Sequence, residues 1–263
     1  MTFTAHNIKL PNGVATMPEL EWFMADHPWL LSMQRLMRTL YPNPTGVRVA
    51  DLGCLEGGYT LGLAQMGFDA LGIEVRHSNF QNCLTIRDAY NLPNLEFAKD
   101  DVWNLDNYGP FDAIFCCGLL YHLDRPRDFI NKLAANSNVV IINTHFATDK
   151  MSTVFNLSEL TQNEGLPGRW FGEHETVPAS ELEELKWASW GNNRSFWLTR
   201  AAIFQALSDA GYNLIFEQMD QLAGFHGNNI LNNMTDGYYA TQDRGTFVGI
   251  KNFAQKLDSN TSK

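Results

Sequence analysis

Val47-Arg48-Val49-Ala50-Asp51-Leu52-Gly53-Cys54-Leu55-Glu56-Gly57-Gly58-Tyr59-Thr60 is the stretch whose reading decides the fold. It reads as a short buried strand, a glycine turn and the start of a helix. Leu71-Gly72-Ile73-Glu74 then closes a second strand on a carboxylate. In a βαβ unit the crevice beyond the strand ends receives ligands, and an acidic residue about 20 positions past the turn is placed for a ribose diol. The pattern points to a ligand that contains a nucleoside.

The glycines narrow which ligand. A dinucleotide fingerprint needs its second glycine bare so that a pyrophosphate can approach the backbone, and here that position is Leu55. Gly53, Gly57 and Gly58 still permit a tight turn, while Asp51 and Glu56 on the same loop would repel phosphates and tolerate a cation. S-adenosyl-L-methionine, with a sulfonium, an amino-acid tail and no phosphate, fits this pattern.

Composition bounds the rest. The chain has 263 residues, 44% hydrophobic and 18% charged, in the range of soluble globular proteins. Its formal net charge of −10, from 19 Lys+Arg against 29 Asp+Glu, argues against a nucleic-acid surface, which depends on cationic neutralisation of phosphates. A local basic patch inside that total stays open. Cys54, Cys83, Cys116 and Cys117 form no C-x-x-C pair and have apolar neighbours, as buried thiols in a reducing compartment do. Met1-Thr2-Phe3-Thr4-Ala5-His6 lacks the features of a signal peptide, and no apolar run has the length of a membrane span. A cytoplasmic protein with no membrane partner is expected, and its oligomeric state is unknown.

Three regions follow from a pass along the chain. Residues 1–45 form an amino-terminal segment, with an extended turn at Ile8–Val14 and helical spacing from Glu19 to Leu40 broken near Pro28. Residues 46–145 alternate strands and helices, which implies a parallel sheet covered by helices. Expected strands are 47–52, 70–74, 95–98, 111–116 and 138–142, with helices over 59–66, 78–90 and 126–135. Alternation stops over residues 146–198, which carry four tryptophans, and resumes over 199–252 with a helix at 200–210 and strands at 213–218 and 245–251. The terminal Asp258–Lys263 reads as frayed.

Four motifs now stand in order: Val49-Ala50-Asp51-Leu52-Gly53, Gly72-Ile73-Glu74, Ala98-Lys99-Asp100-Asp101-Val102, and Phe111-Asp112-Ala113-Ile114-Phe115 with Gly118-Leu119-Leu120-Tyr121-His122-Leu123. As a set they resemble the class I S-adenosylmethionine-dependent methyltransferases, strongly over 46–143 and by layout over 199–251. Leu55-Glu56 departs from the family, which usually has another glycine there. The resemblance implies an α/β, doubly wound, Rossmann-like fold, a seven-stranded, mostly parallel sheet with helices on both faces and an antiparallel last strand. The break in alternation adds an inserted substrate cap at 146–198, joined over the crevice by the helices of 1–45. The resemblance also implies that Asp51 and Gly53 border the methionine end of the cofactor and that Glu74 accepts from both ribose hydroxyls. Asp101 would accept from the adenine amino group, Val102 would pack on the ring, and the backbone at Cys117-Gly118 would line the sulfonium. Tyr121 and His122 would face the reaction crevice. Asp100-Asp101 equally suits the cap of a short helix, and Tyr121 and His122 the packing of a buried loop.

The acceptor side is read from the residues. His145 lies just past the fifth strand, where open α/β sheets place their sites, and ranks slightly ahead of His122 as general base. In the inserted segment Trp170, Glu173 and Asn192 are candidate acceptor contacts, the alternative being an aromatic satellite core. Glu173, His174 and Glu175 are too close in sequence to converge on one ion, so no metal is expected. The expected function is methyl transfer to a small-molecule acceptor, with oxygen preferred. Two alternatives stand beside it. The Ile8–Gly13 segment and Leu120–Pro126 loop look like those of enzymes that carboxymethylate wobble uridine in tRNA, and a non-catalytic cofactor-binding sensor would keep the same crevice.

Overall fold

In the computed structural model of the protein, the described residues are 2–150, 152, 154–175, 178–224, 234 and 238–252. The main sheet has seven strands: β1 (Arg48–Leu52), β2 (Asp69–Glu74), β3 (Leu95–Lys99), β4 (Phe111–Cys117), β5 (Ser137–His145), β9 (Leu214–Gln218) and β10 (Arg244–Ile250). Their order across the sheet is β3-β2-β1-β4-β5-β10-β9, with β10 antiparallel to both neighbours and the remaining pairs parallel. Both the seven strands and the antiparallel last strand match the expected fold. The terminal residues 258–263 lie outside the described residues.

Strand residues alternate between two cores, as the two-residue period of a strand requires. On β5, Val140 and Ile142 belong to one apolar cluster, with Phe129, Ile130 and Leu133 of α4 (Pro126–Asn136) and Ile203 and Leu207 of α6 (Arg200–Asp209). Val139 and Ile141 face the other cluster, with Leu30, Met33 and Met37 of α1 (Pro28–Leu40), Leu61 and Leu63 of α2 (Gly58–Gln65) and Ile86 of α3 (His77–Tyr90). Helices therefore cover both faces. Pro28 starts α1 instead of kinking a longer helix, because proline lacks the N–H that a first-turn residue would leave unsatisfied.

The inserted residues leave the sheet after β5 and build a second, antiparallel sheet of β6 (Thr161–Asn163), β7 (Leu166–Gly172) and β8 (Arg194–Leu198). A short helix, α5 (Ala179–Leu182), lies between β7 and β8. Thr199 Oγ1 then accepts from Ala202 N at 3.2 Å and starts α6, as a threonine cap should.

Candidate active site

The strand order reverses direction between β1 and β4, and a crevice opens there beyond the carboxyl ends of the strands. It holds a cavity of about 500 Å³, of a size usual for small-molecule sites. Asp51, Gly53, Glu74, Asp101, Val102, Cys117 and Gly118 all line it, as do Tyr121, His122 and Asn192. Residues from five sequence-distant segments thus converge on one space.

Glu74 is only 4% exposed at the end of β2. Its Oε2 accepts from Leu55 N at 2.9 Å, and Oε1 accepts from Arg76 N at 2.9 Å and Asn79 Nδ2 at 3.4 Å. Burial raises its pKa, against these hydrogen bonds and the Arg76 charge, which lower it. Leu55 takes a left-handed backbone (φ 54°), the conformation for which a glycine would be usual. Asp51 is 1% exposed and accepts from Thr60 Oγ1 at 2.6 Å. Burial is the largest influence on it and pushes its pKa up to about 7. Asp101 serves as a cap: its Oδ1 accepts from Trp103 N at 2.9 Å at the start of a short 3-10 helix, Val102–Asn107. It lines the cavity as well, so capping and a ligand contact are compatible.

Glu56 corrects one expectation. It is fully buried and turned away from the crevice, where its carboxylate accepts from the main-chain N–H groups of Thr4, Ala5 and His6. It does not line the crevice and makes no direct contact with a ligand there. His6 follows this strap and accepts from Gly58 N through Nδ1 at 3.0 Å. A side chain on Gly58 would place its Cβ 2.9 Å from that nitrogen, so the close approach requires glycine here.

The acceptor-side candidates separate. His122 lines the cavity, and its Nδ1 lies 2.9 and 3.0 Å from the two oxygens of Glu173. Glu173 does not reach the cavity; its side chain is 1% exposed, behind His122, and also accepts from Ser189 N at 3.0 Å. Asn192 donates to the His122 carbonyl at 3.0 Å and accepts from Ser189 Oγ at 2.8 Å. His145 lies away from the cavity lining. It stacks on Trp197 (4.9 Å, 16°), meets Tyr121 and Phe155 edge-on, and has Nδ1 2.7 Å from the Gln242 carbonyl. Burial, with the Arg244 charge, holds its pKa down at about 3. The topological argument that ranked His145 first fails because its ring enters the aromatic packing beneath the inserted segment.

Trp170 also departs from its expected place. It packs edge-on against Phe196 at 4.9 Å and beneath the Arg194 guanidinium, half-buried against the core and outside the cavity lining. Arg169 is spent on the carbonyls of Thr148, Ser158 and Asp149. His174 Nδ1 turns to the Glu175 carbonyl while Glu173 faces His122, so these three side chains do not meet at one point.

Sequence reasoning missed other lining residues. Trp22, His27 and Trp29 come from the amino-terminal segment, and Arg244 from the first position of β10. The Arg244 guanidinium lies over the Trp29 ring at 4.2 Å and donates to Asn143 Oδ1 at 2.8 Å. Its only sequence signal is its place beside the last strand, which says nothing of direction. Of the inserted segment's four tryptophans, which sequence reasoning did single out, Trp187, 64% exposed, and Trp190 line the cavity.

Two buried carboxylates at adjacent strand ends, a Leu55 in place of a phosphate-binding glycine, and nearby apolar walls fit a ribose diol and a cationic tail. They do not fit a pyrophosphate. Comparisons agree with this chemistry. A family model described as "Methyltransferase domain" matches residues 27–217, and the chain belongs to that family. Its fold is that of a class I S-adenosylmethionine-dependent methyltransferase domain. The chain is similar to the N-terminal domain of EvdMO1 solved with SAH bound, at 25% identity and TM-score 0.62, covering 89% of this chain and 83% of that one. It shares its fold with magnesium protoporphyrin IX methyltransferase from Synechocystis PCC 6803 with bound SAH, at 15% identity and TM-score 0.51 over 86% and 84% of the two chains. Among curated proteins it is 22% identical over 117 residues to a ubiquinone biosynthesis O-methyltransferase of Rickettsia bellii, covering 43% of this chain and 48% of that protein. It is 30% identical over 127 residues to a tRNA U34 carboxymethyltransferase of Campylobacter hominis, covering 45% and 42%. The chain thus spans about half the length of the curated relatives it matches. Among the described residues no helix is long and apolar enough to cross a membrane.

Proposed function

We propose that this protein transfers a methyl group from S-adenosylmethionine to a hydroxyl of a small-molecule acceptor, with His122 as general base. Glu74 holds the ribose hydroxyls, Asp101 the adenine amino group beside Val102, and Asp51, Gly53 and the Cys117-Gly118 backbone the methionine and sulfonium end. The bound cofactor supplies an electrophilic methyl group. The chain supplies alignment, exclusion of water and a base. Tyr121 and Asn192 flank the acceptor, and residues 1–45 and 146–198 cap the domain formed by 46–145 and 199–252.

One observation carries the oxygen assignment: the His122–Glu173 pair. With Nδ1–H donating to a buried carboxylate, Nε2 is the nitrogen left to take a proton from an acceptor hydroxyl, and the resulting imidazolium is stabilised by Glu173. The O-methyltransferase relative and a second EvdMO1 structure, obtained in the presence of SAH and D-fucose at 26% identity, support a hydroxylated acceptor. The tRNA-modifying relative favours a second reading, transfer to RNA, against which the net charge of −10 weighs.

Tritiated methyl transfer to separated small-molecule, tRNA and protein fractions of a cell extract tests this. Counts are expected in the small-molecule fraction and should fall about 10²–10⁴-fold in His122→Gln. Counts in tRNA overturn the acceptor class, and full activity of His122→Gln overturns the base.

A further inference from the structure

Arg76 stands two residues beyond Glu74, is 6% exposed, and makes contacts that methyl transfer as proposed does not explain. Its Nη2 donates to the carbonyls of Leu185 at 2.8 Å and Ala188 at 2.7 Å, and Nε donates to Leu182 O at 3.4 Å. The guanidinium lies 5.4 Å from the centre of the Trp190 ring. A single side chain from the end of β2 therefore gathers the carbonyls of the segment between β7 and β8. Glu183, in the same segment, accepts from His77 N at 3.0 Å and Ser78 N at 3.5 Å at the start of α3. Burial opposes the Arg76 charge, and the carboxylates of Glu74, Glu183 and Glu173 favour it.

The residue after Ala188 closes a chain of contacts. Ser189 N donates to Glu173 Oε2, and Glu173 faces His122 Nδ1. Ser189 Oγ donates to Asn192 Oδ1, and Asn192 donates to the His122 carbonyl. The loop that the Arg76 fork grips thus carries Ser189, which touches both partners of His122: Glu173 at its ring and Asn192 at its main chain.

We propose that Arg76 is a positioning residue for the acceptor site: by fixing residues 182–189 it places Ser189 N against Glu173, and so locks the His122 ring with Nδ1 protonated and Nε2 toward the crevice. The strand end that carries the ribose carboxylate and the base on the opposite wall are thereby parts of one assembly. A planar fork suits this task better than an ammonium, which is a point charge on a flexible stem. The inference rests on the reading of His122 as base, but its test needs no acceptor.

Nitrogen NMR of the histidine-labelled 263-residue chain reports which ring nitrogen carries the proton. The wild type should show His122 protonated at Nδ1, assigned by its loss in His122→Gln. Arg76→Met should lose that signal while far-UV circular dichroism and a cooperative melt show a folded chain. Arg76→Lys, which keeps the charge without the fork, should lose or broaden it and decides the matter if Arg76→Met does not fold. Glu173→Gln should lose it too, and Arg76→Met added to Glu173→Gln should change nothing more. A folded Arg76→Met or Arg76→Lys that retains the wild-type signal overturns the positioning role. A wild type protonated at Nε2 overturns the base reading instead.

Discussion

The main-chain N–H of Leu55 donates to the Glu74 carboxylate at 2.9 Å, so the residue that departs from the glycine pattern orients the carboxylate that the pattern predicts. A left-handed residue with a side chain costs about 1–2 kcal/mol, and a hydrogen bond to an ionised group contributes about 1.5–3 kcal/mol. The strain at Leu55 and the placement of Glu74 are therefore coupled. Glu74→Ala should weaken binding of SAH by tenfold or more, from loss of about 1.5–3 kcal/mol of charge-assisted pairing. Leu55→Gly, which keeps the N–H and removes the strain, should leave affinity nearly unchanged. Calorimetry on both variants checks this, and a large loss in Leu55→Gly would show that the leucine side chain is itself needed.

Asp51 makes binding depend on protons. Its pKa of about 7 means that the free protein holds it largely protonated at pH 6. A cationic ligand group beside it favours the carboxylate. Binding of SAH at pH 6 should therefore release a proton, seen as a binding enthalpy that varies with the ionisation heat of the buffer. Asp51→Asn should abolish that variation. The sign for stability is opposite to a paired carboxylate: the folded state holds the proton more tightly than the unfolded one, so Asp51 lowers stability as pH rises from about 4 to about 7.

Buried histidines act the other way. Burial holds His6 and His27 at about 4 and His145 at about 3, all below the usual histidine value. Each contributes stability that is present above the unfolded value near 6.5 and lost as pH falls toward the folded one. These three groups act against Asp51 and Glu74, whose raised values work in the opposite sense, and the histidines outnumber them between about pH 6 and 4.5. Urea unfolding across that range should show the midpoint falling steeply, and His145→Phe should flatten the fall. His145→Phe should also keep its affinity for SAH, since the ring packs on Trp197 outside the cavity.

The cofactor half of this protein was legible because its signals are local. Buried strands need apolar runs, the turn needs glycines, and Glu74 follows at a distance set by one helix. The acceptor half depends on contacts between distant segments. His122 and Glu173 are 51 residues apart, and nothing in either neighbourhood announces the pair. His145 ranked slightly ahead of His122 as base and Trp170 stood among the acceptor contacts, yet which way each ring turns depends on the packing of β7 and β8 around Trp197 and Phe196. Arg76 was overlooked because its partners are carbonyls, which carry no sequence identity.

Glu56 shows the same limit and yields the last prediction. Its carboxylate accepts from Thr4 N at 2.8 Å, Ala5 N at 3.0 Å, His6 N at 2.9 Å and Asn82 Nδ2 at 3.2 Å, which ties the amino-terminal strap to the glycine loop and α3. Thr4, Ala5 and His6 also line the cavity, so the strap forms part of the wall against the cofactor loop. Glu56→Ala leaves several N–H groups without their acceptor, at about 1–3 kcal/mol for each that stays buried. The melting temperature should fall by several degrees, and affinity for SAH should fall as the wall loosens. In a chain lacking residues 2–6 the Glu56 carboxylate has lost three main-chain donors and meets water in their place, so Glu56→Gln should cost clearly less stability there than in the full chain. Thermal melts of the four proteins in that cycle measure the coupling directly. If Glu56→Gln has the same effect with and without the strap, Glu56 serves α3 alone and the strap is held by other contacts.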